Sequence, residues 1–220
     1  MLKMDMAESK WLHSAVKCEI GQKLSRTNTF IGIKHANQVN ARRPWLEERK
    51  NSVTKLVPSV LPDAAYVLQS EHVLIGTGYL QSPVYDDEMP YAINYGSLGA
   101  LLGHEFFHSF QSALSSKYNG AKKRGQNLTS NLYLQKTKCF VNHYKHFGVK
   151  DLSDLPSNCY VRPNLIRTVD ENVADTMGLK AAYEAYRRKL WQNKSVCPRL
   201  PTNVKLSCDQ QFFLSYALVS

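Results

Sequence analysis

His104 and His108 stand four residues apart in Gly103-His104-Glu105-Phe106-Phe107-His108, with a glutamate directly after the first histidine. Residues four apart on a helix share a face, so the two imidazoles can meet one metal ion. Glu105 falls about 100° round the helix from His104. Its carboxylate then sits beside such an ion, placed to take a proton from a metal-bound water. One helical turn would supply two ligands and a base. The expected cofactor is Zn2+, one per chain, with His104 and His108 as ligands and Glu105 as the general base.

Catalytic zinc usually takes three protein ligands and keeps a position for water. A glycine and a histidine three and six residues after His108 would supply the third ligand from the same segment. Those positions hold Gln111 and Leu114, which excludes that pattern. A glutamate from a second helix is the other source, and Glu171-Asn172-Val173-Ala174-Asp175 fits it. Glu171 and Asp175 share a helical face, so one can bind zinc while the other accepts the free N–H of a ligand histidine. A capping box is the competing reading of Glu171, because Thr168 precedes it by three residues. That reading leaves Asp175 and the small residues after it unexplained.

Two helices must carry these groups. Tyr91 to Leu114 is expected to be helical, with Leu98, Leu102, Phe106 and Phe110, joined by Tyr95, as one apolar stripe turned away from the histidines. Thr168 to Leu190 is expected as the second helix and Thr129 to Phe147 as another. Tyr66 to Tyr79 reads as strand from its β-formers, closed by Gly76 and Gly78. Leu152 to Asn164, with its prolines, reads as loop. Residues 1–60 are polar and basic with no sustained period, a poorly defined N-terminal segment. Residues 61–220 form the expected catalytic domain.

The segments GHEFFHSF (Gly103 to Phe110) and ENVADTMGLKAAYEAY (Glu171 to Tyr186) resemble the neprilysin and endothelin-converting-enzyme family of zinc metallopeptidases. Gly78-Tyr79-Leu80-Gln81-Ser82-Pro83 and Gln211-Phe212-Phe213-Leu214-Ser215-Tyr216-Ala217 resemble two further blocks of that family, in the family's order. The resemblance implies a mainly α fold with a small β element (α+β), a thermolysin-like zincin catalytic domain, incomplete at its C-terminus. It also implies zinc on His104, His108 and Glu171, catalytic roles for Glu105 and Asp175, and peptide substrates cut on the amino side of hydrophobic residues. Extracellular or cell-surface localisation follows from the same resemblance, with membrane association only through family segments missing here. The family's substrate-binding Asn-Ala-x-Tyr falls on Asp63-Ala64-Ala65-Tyr66, which makes Ala64 the candidate substrate-binding residue. The family's later histidine and arginine and its covering helical domain have no counterpart, and Cys139 lacks its expected C-terminal partner. A catalytically impaired zinc-binding relic is the alternative to an active endopeptidase.

The chain has 220 residues, a formal net charge of +10 and 43% hydrophobic content, enough apolar material for a core. Its basic residues come in short clusters (Arg42–Arg43, Lys122–Lys123–Arg124, Arg187–Arg188–Lys189) without interleaved aromatics, so no nucleic-acid partner is expected. Five cysteines lack the close pairing of a zinc finger or redox site. Sequons at Asn127 and Asn193 are compatible with a secreted life. No signal peptide or membrane span is read in the sequence, and oligomeric state is left open.

Overall fold

The structure, a computed structural model, describes residues 8–31, 62–68, 70–114, 126–145, 168–193 and 205–219. Helix α1 spans Ser14–Arg26, with His13 Nδ1 accepting the N–H of Ala15 at 3.3 Å as its cap. Lys23 and Arg26 stand in its last turn, where cations offset the partial negative charge of the carbonyl end. Leu12, Val16 and Ile20 follow at every fourth position and are buried against Phe107, Phe110 and Leu114. Lys23 Nζ donates to Ser112 Oγ at 2.7 Å and lies 3.9 Å from Glu71. The N-terminal segment thus supplies a helix and a strand, β1 (Asn28–Ile31), where the sequence shows no sustained period. Ile20→Val removes one methyl from a residue with no exposed surface and should destabilise the protein by about 0.5–1.5 kcal/mol in chemical denaturation. An unchanged midpoint would mean that α1 is not docked in solution.

The stretch expected as one strand is a hairpin. Strands β2 (Ala64–Val67) and β3 (His72–Ile75) pair antiparallel, and Thr77–Tyr79 forms a 3-10 turn. Glu71, in the connection, takes a φ of 55°, the left-handed conformation of a tight turn. β1 pairs parallel to β3, giving the order β1-β3-β2. All four residues of the middle strand are buried, as expected of a strand covered on both faces.

The predicted helix from Tyr91 to Leu114 comprises α2 (Tyr91–Asn94), a π-helical turn (Tyr95–Gly99) and α3 (Ala100–Leu114). Its apolar residues do not form the single expected stripe. Leu98, Leu101, Leu102 and Phe106 pack against the sheet, Phe107 and Phe110 against α1, and Tyr95 against Tyr186 and Phe212. Ten of the fifteen α3 residues are buried, because three different neighbours surround the helix. Helix α4 covers Gln126–Tyr144, α5 Val169–Asn193 and α6 Cys208–Val219. Ser207 and Gln210 cap α6 reciprocally: Ser207 Oγ accepts from Gln210 N at 3.2 Å, and Gln210 Oε1 accepts from Ser207 N at 2.8 Å. The loop read at Leu152–Asn164 and the clusters Arg42–Arg43 and Lys122–Arg124 lie outside the described residues. The third cluster is engaged locally: Arg187 binds both carboxylate oxygens of Asp209, and Lys189 lies 5.3 Å from the centre of the Tyr91 ring.

Two glycine contacts bring the helices together. A Cβ on Gly178 would lie 2.3 Å from the His104 backbone nitrogen, and one on Gly103 would lie 2.4 Å from the Gly178 carbonyl oxygen. α3 and α5 therefore cross backbone to backbone, one residue from His104. Gly96, in the π turn, similarly leaves room for the Phe212 carbonyl, 2.2 Å from where its Cβ would be. Such π turns in long helices often sit near functional sites, and this one ends five residues before His104, where HExxH begins.

Candidate metal centre

The close crossing sets Glu171 and Asp175 of α5 over the histidine face of α3. His104 Nε2 and His108 Nε2 are 3.0 Å apart, and Glu171 Oε2 is 3.3 Å from each. Ligands at about 2.0–2.1 Å around a tetrahedral zinc are separated by about 3.3 Å, so this triangle of two imidazole nitrogens and one carboxylate oxygen fits zinc in both size and donor type. Glu105 also approaches: His104, Glu105 and His108 bring ligand atoms within 4.8 Å of one another and could hold an ion. The two carboxylates differ in setting. Glu171 is in contact with both Nε2 atoms, whereas Glu105 is 6% exposed and hydrogen-bonded to the backbone N–H of Tyr66.

Each imidazole is also held from behind. His104 Nδ1 is 2.7 Å from Asp175 Oδ1, so a protonated Nδ1 donates to that carboxylate and leaves Nε2 facing Glu171. His108 Nδ1 makes the equivalent bond to Gln111 Oε1 at 2.8 Å. Sequence reasoning identified Asp175 in this position and missed Gln111, although its placement three residues after His108 puts the two on one helical face.

The charges follow from these contacts. Burial acts to lower the His104 pKa, but hydrogen bonds to Asp175 and Glu171 outweigh it and push the ring up to about 10. For His108 burial again opposes, and contacts with Glu171 and Gln111 give a net upward shift. The two imidazoles hold the Glu171 carboxyl well below the usual carboxylate range, against the opposing effect of burial. Glu105 is pushed up by burial and partly pulled back by His108, His104 and the Tyr66 N–H. Protons held at His104 Nε2 and His108 Nε2 compete with a cation for the same atoms.

A cleft of about 290 Å³ opens beside His104, lined by Asp63 and Ala64 of the β2 end, by Ser97 of the π turn, by Ala100, Leu101 and Glu105 of α3, and by Asp175. Tyr79, Tyr216 and Val219 complete its wall. The two tyrosines belong to segments recognised in the sequence, but not to any role assigned there. Ala64 is therefore brought to the same cleft as Glu105. Among the described residues Cys18 and Cys139 are free, Cys208 is disulfide-bonded, and no helix is long and apolar enough to cross a membrane.

The fold is a zincin-like α+β architecture, mainly helical with a small three-stranded sheet. Residues 63–220 match peptidase family M13, and the chain belongs to that family. Endothelin-converting enzyme-like 1 of Homo sapiens is 27% identical over 224 residues, covering 99% of this chain and 26% of its own length. Neprilysin-1 of Caenorhabditis elegans is 31% identical over 176 residues, covering 79% of the chain and 22% of its own length. The endothelin-converting enzyme homolog of Locusta migratoria is 35% identical over 159 residues, covering 71% and 20%. The chain thus spans between 20% and 26% of the length of these relatives. The fold is shared with the inhibitor complex of the zinc metalloprotease Zmp1 of Mycobacterium tuberculosis, at a TM-score of 0.72 and 23% identity over 99% of this chain and 36% of that one.

Proposed function

We propose that this chain is the zinc-binding and catalytic core of a metalloendopeptidase that hydrolyses oligopeptides beside hydrophobic residues. The observation that carries the reading is the convergence of His104 Nε2, His108 Nε2 and Glu171 Oε2 within 3.0–3.3 Å, next to the buried Glu105 carboxylate. His104, His108 and Glu171 hold one Zn2+, in a catalytic domain of residues 61–220. Zinc bound there supplies a Lewis acid and lowers the pKa of a coordinated water. Glu105 takes the proton from the attacking water and delivers it to the leaving amine nitrogen. Asp175 holds His104 in the tautomer whose Nε2 is free for the metal.

Substrate pairing falls to β2, which among the described residues has a neighbour on one side. The Asp63 carbonyl accepts the Gly76 N–H at 2.9 Å. By the alternation of antiparallel pairing, the backbone groups of Ala64 then turn away from β3. A peptide can add to that edge as a further strand, with Ala64 as its contact. The Asp63 carboxylate already accepts the Ala64 N–H at 2.9 Å, so a substrate carbonyl must compete with it there. Leu101, Ala100 and Val219 give the cleft an apolar wall suited to a hydrophobic side chain. The disulfide at Cys208 fits an extracellular or cell-surface setting. Peptides are the partners in this reading, and no nucleic acid is.

Hydrolysis of a quenched-fluorescent peptide with hydrophobic residues tests the reading. Cleavage should stop with a chelator and return with zinc. Stoichiometric zinc with no cleavage across a hydrophobic peptide library would leave a binding protein and overturn the assignment. Asp175→Ala should weaken zinc about 10–100-fold, measured against a competing chelator, because His104 loses its fixed tautomer. Unchanged affinity would remove that role from Asp175.

A further inference from the structure

We infer that Gln111 is a positioning residue that locks the metal-binding geometry of His108 and ties the two ligand-bearing helices together. The inference rests on the zinc reading above and extends it to a side chain outside the motif. Gln111 is 4% exposed, and both ends of its amide are used. Its Oε1 is 2.8 Å from His108 Nδ1, and its Nε2 donates to the backbone carbonyl of Asp170 at 2.6 Å. Asp170 directly precedes Glu171 in the first turn of α5. One side chain on α3 therefore touches the ring of one ligand and the backbone beside another.

The chemistry of the amide suits this double contact. An oxygen acceptor facing Nδ1 selects the Nδ1–H tautomer of a neutral imidazole and leaves the Nε2 lone pair for a metal. The NH2 end finds its own partner in the Asp170 carbonyl, which a buried amide donor needs because leaving it unsatisfied is costly. A carboxylate could fill the first role but not the second, since it has no N–H to offer. The site is consequently asymmetric: His104 is backed by the charged Asp175 and His108 by a neutral amide.

Zinc affinity separates this role from plain packing, using a competing chelator on the full chain. Gln111→Ala should lose about 10–100-fold in affinity, the usual effect of removing a hydrogen-bond partner from a ligand histidine. Gln111→Glu, which keeps an acceptor for His108, should recover most of that loss. Wild-type binding with an unaltered Gln111→Ala variant would overturn the inference alone. Equal losses in the two variants would overturn the His108 role, leaving Gln111 only as a structural tie to α5. Wild-type protein that binds no zinc would remove the proposed function itself. A measurement on wild type avoids any folding defect of the variants: long-range 15N–1H correlation of the zinc-loaded protein should find His108 protonated at Nδ1. Protonation at Nε2 would contradict the assignment.

Discussion

Glu105→Gln should keep its zinc and lose about 10²–10⁴-fold in peptide hydrolysis, the range expected when a positioned general base is removed. The substitution is nearly isosteric, so a 6% exposed site receives a group of the same size. Its amide oxygen can still accept the Tyr66 N–H, which holds the Glu105 side chain against β2. The amide cannot accept a proton from water at any working pH, and that loss should dominate. The three atoms within 3.0–3.3 Å of one another do not include Glu105, so metal content should stay at one per chain. Metal analysis and hydrolysis on the same preparation distinguish the cases. Zinc lost together with activity would make Glu105 a ligand and displace Glu171 from that role.

Gly178→Ala should disrupt the centre from outside it. The added methyl would lie 2.3 Å from the His104 nitrogen and 2.6 Å from the Gly103 carbonyl carbon, both backbone atoms that cannot swing aside. Relief requires α3 and α5 to separate by about 1 Å, and overpacking of this kind costs up to about 3 kcal/mol. Metal sites tolerate deviations of only about 0.2 Å in ligand distance. Separation on that scale would carry Glu171 and Asp175 away from the histidines, so zinc affinity should fall further than in Asp175→Ala. Denaturation midpoint and zinc titration would both register the change. A variant with wild-type stability and wild-type affinity would mean that the helices do not cross as closely as described.

The parts of this arrangement legible in the sequence are those whose cause is local. The HExxH spacing and the ExxxD spacing each lie within about one helical turn, so periodicity exposes them. Helix α1 has a fourfold spacing too, in Val16, Ile20 and Leu24, continued from Leu12 just before it, but polar and charged residues between them mask it. Strand β1 carries no alternation because all four residues are exposed, and its place is set by pairing with β3. The hairpin was hidden because its turn uses Ser70-Glu71 rather than a glycine or asparagine signal. Gln111 depends on a carbonyl 59 residues away, which no local pattern announces. The single apolar stripe expected from Tyr95 to Phe110 fails for a related reason: a helix with neighbours on three sides has no single buried face.

X-ray absorption at the zinc edge of the loaded, substrate-free protein tests the central claim most directly. The account predicts one zinc per chain with nitrogen and oxygen neighbours at about 2.0–2.2 Å, two of them imidazoles. Glu171→Ala should remove one oxygen neighbour and retain both imidazoles. Sulfur in the coordination shell, a single imidazole, or a Glu171→Ala spectrum identical to wild type would contradict the assignment of His104, His108 and Glu171 as the metal ligands.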